Sequence, residues 1–146
     1  MKIHFFSENT PFELPKTEAK NIKKWIETII KQEKYTLINL NYIFCDDQYL
    51  HQINWQYLEH DTYTDIITFD NAEEPQTIEG DIFISIERVQ ENAQQFNQPF
   101  QEELYRVLAH GILHLIGYQD KTQEQSQLMR QKENEALRLF KNITLT

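Results

Sequence analysis

His110-Gly111-Ile112-Leu113-His114-Leu115-Ile116-Gly117-Tyr118-Gln119-Asp120 joins the end of a helix to the makings of a site. Two histidines four residues apart on a helix project from one face and can meet one ion. Gly117 is free to take a positive φ, so it stops the helix and lets the chain turn back. That return brings Asp120 toward the histidines as a third ligand. Three protein ligands and an open fourth position are what a catalytic zinc site requires.

Outward from this stretch, the helix that carries the histidines reads back to about Gln101, with Pro99 in front of it. Ser85 caps an earlier helix that runs to about Phe96. A last helix is expected from about Thr122 to Phe140, packing through Leu128, Met129, Ala136, Leu137 and Phe140. Near the N-terminus a strand spans roughly Lys2–Phe6, followed by a loop holding Pro11 and Pro15. The next helix runs from about Thr17 to Glu33, its buried stripe formed by Ile22, Trp25, Ile26, Ile29 and Ile30.

Leu37–Cys45 is β-branched and aromatic and reads as a strand. Asp46 or Asp47 then caps a helix to about Tyr57, with Leu50, Ile53 and Trp55 inward. Asp65–Phe69 and Gly80–Ser85 are two further strands, separated by an acidic turn at Asn71–Pro75. The expectation is an α+β fold in which a small mixed four-stranded sheet is covered by about five helices.

The 146 residues suit a single domain, spanning 1–146. No stretch reaches the ~18–20 apolar residues of a membrane span. Met1–Phe6 is followed at once by Ser7, Glu8 and Asn9, too early for a secretory signal. The one cysteine, Cys45, sits in an apolar run and reads as an inert buried thiol of a reducing compartment. A cytoplasmic protein is expected, with no membrane association. No apolar interface is evident, so a monomer is expected.

A net charge of −9 argues against a general nucleic-acid binder, because a polyanion is repelled at long range, and leaves room only for a restricted basic surface or bridging metal ions. Charge is unevenly placed. Six lysines against three glutamates between Lys16 and Lys34 give a local +3, while Asp46–Glu103 holds fourteen acids and one basic residue, Arg88. Lys20 and Lys24 on the first helix are thus the basic surface available to a phosphate backbone.

The segment from His110 to Asp120 closely resembles the signature of the YbeY family, bacterial metal-dependent endoribonucleases, which reads H-G-x-L-H-L-x-G-Y-D-H. A second block, Asn54, Tyr57, Asp61 and Thr64-Asp65-Ile66-Ile67-Thr68-Phe69, is similar to the family's N-x-x-Y-R-x-K-D-x-P-T-D-V-L-S-F. Gly80-Asp81-Ile82 resembles its G-D-I strand, and Met129 with Glu133 its closing helix. Three departures from the pattern bear on the site. Asp120 stands for a histidine ligand, Leu58 for an arginine and His60 for a lysine. A carboxylate ligand shifts preference toward harder ions such as manganese, so the cofactor is expected to be one Zn2+, with Mn2+ or another divalent ion as the alternative.

The resemblance implies a single-strand-specific endoribonuclease acting on ribosomal RNA, in maturation of the small-subunit 3′ end and in ribosome quality control. It implies the ribosome and ribosome-associated proteins as partners. His110, His114 and Asp120 take the metal, and His114, Asp65 and Asp81 the chemistry. Asp65 and Asp81 are candidates for general base or for orienting a ligand histidine. His60 joins Lys20 and Lys24 as a phosphate contact. Two rivals remain: a non-catalytic ribosome-associated factor stabilised by its metal, and a zinc metalloprotease. For proteolysis the glutamate that should follow the first histidine is replaced by Gly111.

Overall fold

The computed structural model describes residues 2–58 and 64–145. Four strands form one mixed sheet: β1 (Ile3–Glu8), β2 (Thr36–Cys45), β3 (Ile66–Asp70) and β4 (Thr77–Ser85), in the spatial order β1-β2-β4-β3. β1 and β4 flank β2 in parallel, while β3 runs antiparallel to β4 and closes the far edge. The helices are α1 (Lys16–Gln32), α2 (Asp47–Leu58), α3 (Ile86–Gln95), α4 (Phe100–Ile116) and α5 (Gln123–Leu145). This is the expected architecture. Differences in the ends are small, apart from β4 starting three residues before Gly80 and α5 running past Phe140 to Leu145.

Strand alternation sends successive side chains to opposite faces. Ile78, Ile82 and Ile84 of β4 and Leu40, Tyr42 and Phe44 of β2 enter the main core with α1, α3 (through Val89), α4 and α5. Cys45, Ile67 and Phe83 enter a smaller cluster with Leu50 of α2. Four helices therefore share one face and α2 holds the other. Trp25 is wholly buried and donates its Nε1–H to the Ala136 carbonyl at 2.8 Å, tying α1 to α5.

Two expected packing residues point elsewhere. Trp55 is 58% exposed, because Leu50, Ile53 and Asn54 face the sheet and Trp55 lies on the far side of that stripe. Leu128 is 44% exposed, since the buried line of α5 runs through Met129, Glu133, Ala136 and Phe140. Leu137 is half-buried. The α2 cap is Asp46, whose carboxylate accepts from the Tyr49 amide at 2.8 Å. Among the described residues no helix is long and apolar enough to cross a membrane.

Candidate metal centre

α4 lies close on the sheet at Gly111, where a Cβ would meet Ile66 and Ile82 side-chain carbons at 3.0 Å. Its sheet-facing side is apolar, and the opposite stripe, Arg106, His110 and His114 at spacings of four, opens to a cleft. Position 111 is a glycine packed against the sheet, so it offers no carboxylate to act as a base beside the histidines. The geometry thus removes the basis of the metalloprotease reading.

α4 ends at Gly117 with φ 122°, a conformation that L side chains rarely adopt. The Gly117 and Tyr118 amides both donate to the Leu113 carbonyl. Tyr118 is fixed in turn: its hydroxyl donates to Glu33 at 2.7 Å, and the Lys132 ammonium lies 5.5 Å from its ring centre. α5 begins with a reciprocal cap. Thr122 Oγ1 accepts from the Gln125 amide, and Gln125 Oε1 accepts from the Lys121 and Thr122 amides, all at 3.1 Å. Asp120 is held in the short span between a helix stop and a helix start.

The outcome is a compact donor set. One ligand atom each from His110, His114 and Asp120 lies within 4.8 Å of the others. His110 Nε2 and His114 Nε2 are 2.9 Å apart, and Asp120 Oδ2 lies 3.4 and 3.5 Å from them. A tetrahedral ion with bonds of about 2.0–2.1 Å separates its ligands by about 3.3 Å, so these groups fit one. The donor chemistry agrees. Glu133 Oε2 lies 2.6 Å from His110 Nδ1, which makes Nδ1 the protonated nitrogen and leaves a lone pair at Nε2. The two Nε2 atoms face each other at 2.9 Å, a separation suited to a shared proton or to a cation between them.

Glu133 is 6% exposed and also takes the Arg106 guanidinium at 3.0 Å. Burial would raise its carboxyl, but the bonds from His110 and Arg106 outweigh it and hold the pKa below the ordinary value. His110 is the counterpart. Burial opposes its charge, yet Glu133, Asp120 and Asp65 raise its pKa overall. His114 is lowered, first by burial and then by the neighbouring His110. Asp65 is raised, chiefly by burial, with His110 pulling in the opposite direction.

The cleft beside these groups has a volume of about 330 Å³ and is lined by Asp65, Asn92, Glu103, Arg106, Arg130 and Met129 among others. Asp65 thus joins the site, and Asn92 Nδ2 donates to its carboxylate at 3.5 Å. Asp81 does not. It shares the sheet face of Phe83, the α2 side, where it accepts from Asn41 at 2.9 Å and Asn71 at 3.5 Å. Its expected part in the chemistry is corrected to a bond within the sheet and its adjoining loop.

Lys20 and Lys24 lie apart from the cleft. Both are exposed on α1 and neither lines the cleft, whose guanidiniums come from Arg106 and Arg130. His60 lies outside the described residues. Met129 is a buried core residue that also forms part of the cleft wall. Cys45 is buried, and its thiol is pushed up to about 12 by burial and by Asp46, Asp47 and Glu8, which keeps it protonated.

Sequence reading missed Arg106, Arg130 and the orienting part of Glu133. The signal was present: Arg106 precedes His110 by four residues, and Glu133 follows Met129 by four, so each continues a helical stripe that enters the site.

Known proteins match this chain along most of its length. The family profile described as Endoribonuclease YbeY matches residues 5–141. A relative in Cytophaga hutchinsonii, named Endoribonuclease YbeY, is 54% identical over 139 residues, covering 95% of this chain and 96% of its own. Another of that name, from Christiangramia forsetii, is 52% identical over 139 residues, covering 95% and 94%. The solution structure of a Thermotoga maritima protein superposes with a TM-score of 0.68 at 30% identity, over 94% of this chain and 88% of the other.

Proposed function

The chain belongs to the endoribonuclease YbeY family, and from that premise we propose that His110, His114 and Asp120 hold one divalent ion, zinc first and manganese second, for cleaving single-stranded ribosomal RNA. The protein is an endoribonuclease, a hydrolase of RNA. We infer that it acts in small-subunit 3′ end maturation and ribosome quality control, as a cytoplasmic monomer engaging the ribosome and its associated proteins. The carrying observation is the three-ligand cluster within 4.8 Å beside an open cleft.

Such an ion supplies a Lewis acid that polarises a phosphate oxygen and lowers the pKa of water toward ~7. The protein's own groups then divide the remaining work. Glu133 holds the His110 proton on Nδ1 and fixes the ring. Asp65 is the proposed general base. Its burial raises its proton affinity, so a carboxylate oxygen can take the proton of the attacking hydroxyl. Arg106, fixed by Glu133, faces the side from which a phosphodiester enters and can stabilise charge developing on it.

The test is cleavage of a labelled small-subunit ribosomal RNA precursor by wild type, with His114→Ala purified in parallel and bound metal assayed in both. Cleavage and metal in the wild type alone support the reading. Equal cleavage by the two proteins contradicts it.

A further inference from the structure

We propose that Phe96, with Arg106 and Arg130, forms a subsite that stacks one base of a single-stranded RNA while its flanking phosphates lie on the guanidiniums. This rests on the ribonuclease reading and extends it to how the strand is held. Phe96 is 59% exposed, and among the exposed aromatic side chains of the described residues it is the one that lines the polar cleft. It lines the 330 Å³ cleft at the metal centre and also an adjoining cavity of about 270 Å³. Arg106 and Arg130 line both, so the two volumes form one path leading away from the ligands.

The ring sits on a fixed mount. Phe96 ends α3, its amide donating to the Asn92 carbonyl at 2.9 Å. The chain then turns through Asn97 at φ 55°, and the Gln98 amide closes on the Ala93 carbonyl at 2.8 Å. With the backbone held there, the ring stays at the cleft and offers a flat face to a base.

Charge supplies the second half. Arg106 is anchored 3.0 Å from Glu133 Oε1, and Arg130, 62% exposed, stands 3.8 Å from the same oxygen. Glu133 also accepts from His110 Nδ1, so one carboxylate serves two guanidiniums and a ligand imidazole. Arg130 keeps most of its guanidinium free for a phosphate. Glu102 and Glu103 line the adjoining cavity and oppose this, so the guanidiniums must outweigh them at the phosphate; burial raises the Glu103 carboxyl above its ordinary value. An aromatic platform beside a guanidinium track is the general means of holding single strands without reading sequence.

The probe is a fluorescein-labelled, cleavage-resistant oligonucleotide with 2′-O-methyl riboses and phosphorothioate linkages, titrated into the metal-loaded protein. Phe96→Ala is expected to weaken binding about 5- to 150-fold, the range for one stacked base. Phe96→Trp restores it, and an oligonucleotide abasic at the stacked position binds wild type and Phe96→Ala alike. Arg130→Gln lowers the slope of log K against log salt by about 0.7, one phosphate contact on a single strand. An unchanged unfolding midpoint in Phe96→Ala shows that the fold is intact. Wild-type binding with an unaffected Phe96→Ala overturns the subsite alone. Absence of binding by the wild type overturns the ribonuclease reading and the subsite with it.

Discussion

The two faces of α4 are built from the same seventeen residues and obey different rules. Toward the sheet, Leu108, Ile112 and Leu115 are buried apolar groups, and Gly111 lets the helix approach within contact of Ile66 and Ile82. Toward the cleft, Arg106, His110 and His114 are polar, partly exposed and tied to Glu133 and Asp120. The first face is specified by volume and the second by placement of lone pairs and charges. Substitution on the sheet face should therefore act on stability, and on the cleft face on ligand affinity and rate.

The largest separation is expected from Ile112→Ala. Ile112 is fully buried, and truncation should cost about 2–5 kcal/mol in denaturant unfolding, while folded protein still takes metal. A cost under about 1 kcal/mol would break the comparison from the sheet side.

Glu133→Gln is the complementary change. It keeps the shape but loses the negative charge that holds His110 and Arg106. Metal affinity should fall roughly 10- to 100-fold, measured by competition with a chelating dye. Unaltered affinity would show that Glu133 serves the fold rather than the ligands.

Asp65 sharpens the comparison through pH. Burial raises its folded-state pKa above the unfolded value. Above the folded pKa the native state holds an ionised carboxylate at a penalty, and below the unfolded value the penalty is gone. Metal-free Asp65→Asn should therefore be more stable than wild type at neutral pH, the gain vanishing as acid protonates Asp65. Its RNA cleavage, when metal-loaded, should fall and lose the pH limb belonging to the base. A gain in stability independent of pH would contradict the assigned cause.

The smallest effect is expected outside the cleft. Lys20→Gln and Lys24→Gln together should weaken oligonucleotide binding less than Arg130→Gln alone, since both lysines sit on α1 away from the cleft. The reverse order would return the basic surface to α1.

The fold and the candidate donor set were legible because each rests on local signals. The apolar stripe of α1, the proline before α4 and Gly117 after it are short-range features, and the His110–His114 spacing needs only one helix. Asp120 was legible because the turn that carries it begins at that glycine. What escaped needed three-dimensional placement. Asp81 stands in a family-like motif, but strand alternation puts it with Phe83 on the α2 face. Lys20 and Lys24 belong to the densest basic run, but α1 carries them away from the cleft. Arg106, Arg130 and Phe96 are scattered over three elements and meet only when α3, α4 and α5 pack together.

The most direct test of the central claim is metal stoichiometry by equilibrium dialysis against zinc, and separately manganese, for wild type, His114→Ala and Asp120→Ala. The structure predicts one tightly held ion per wild-type chain and strongly reduced binding in both variants, with native circular dichroism retained. One ion held equally by all three proteins would contradict a centre built from His110, His114 and Asp120.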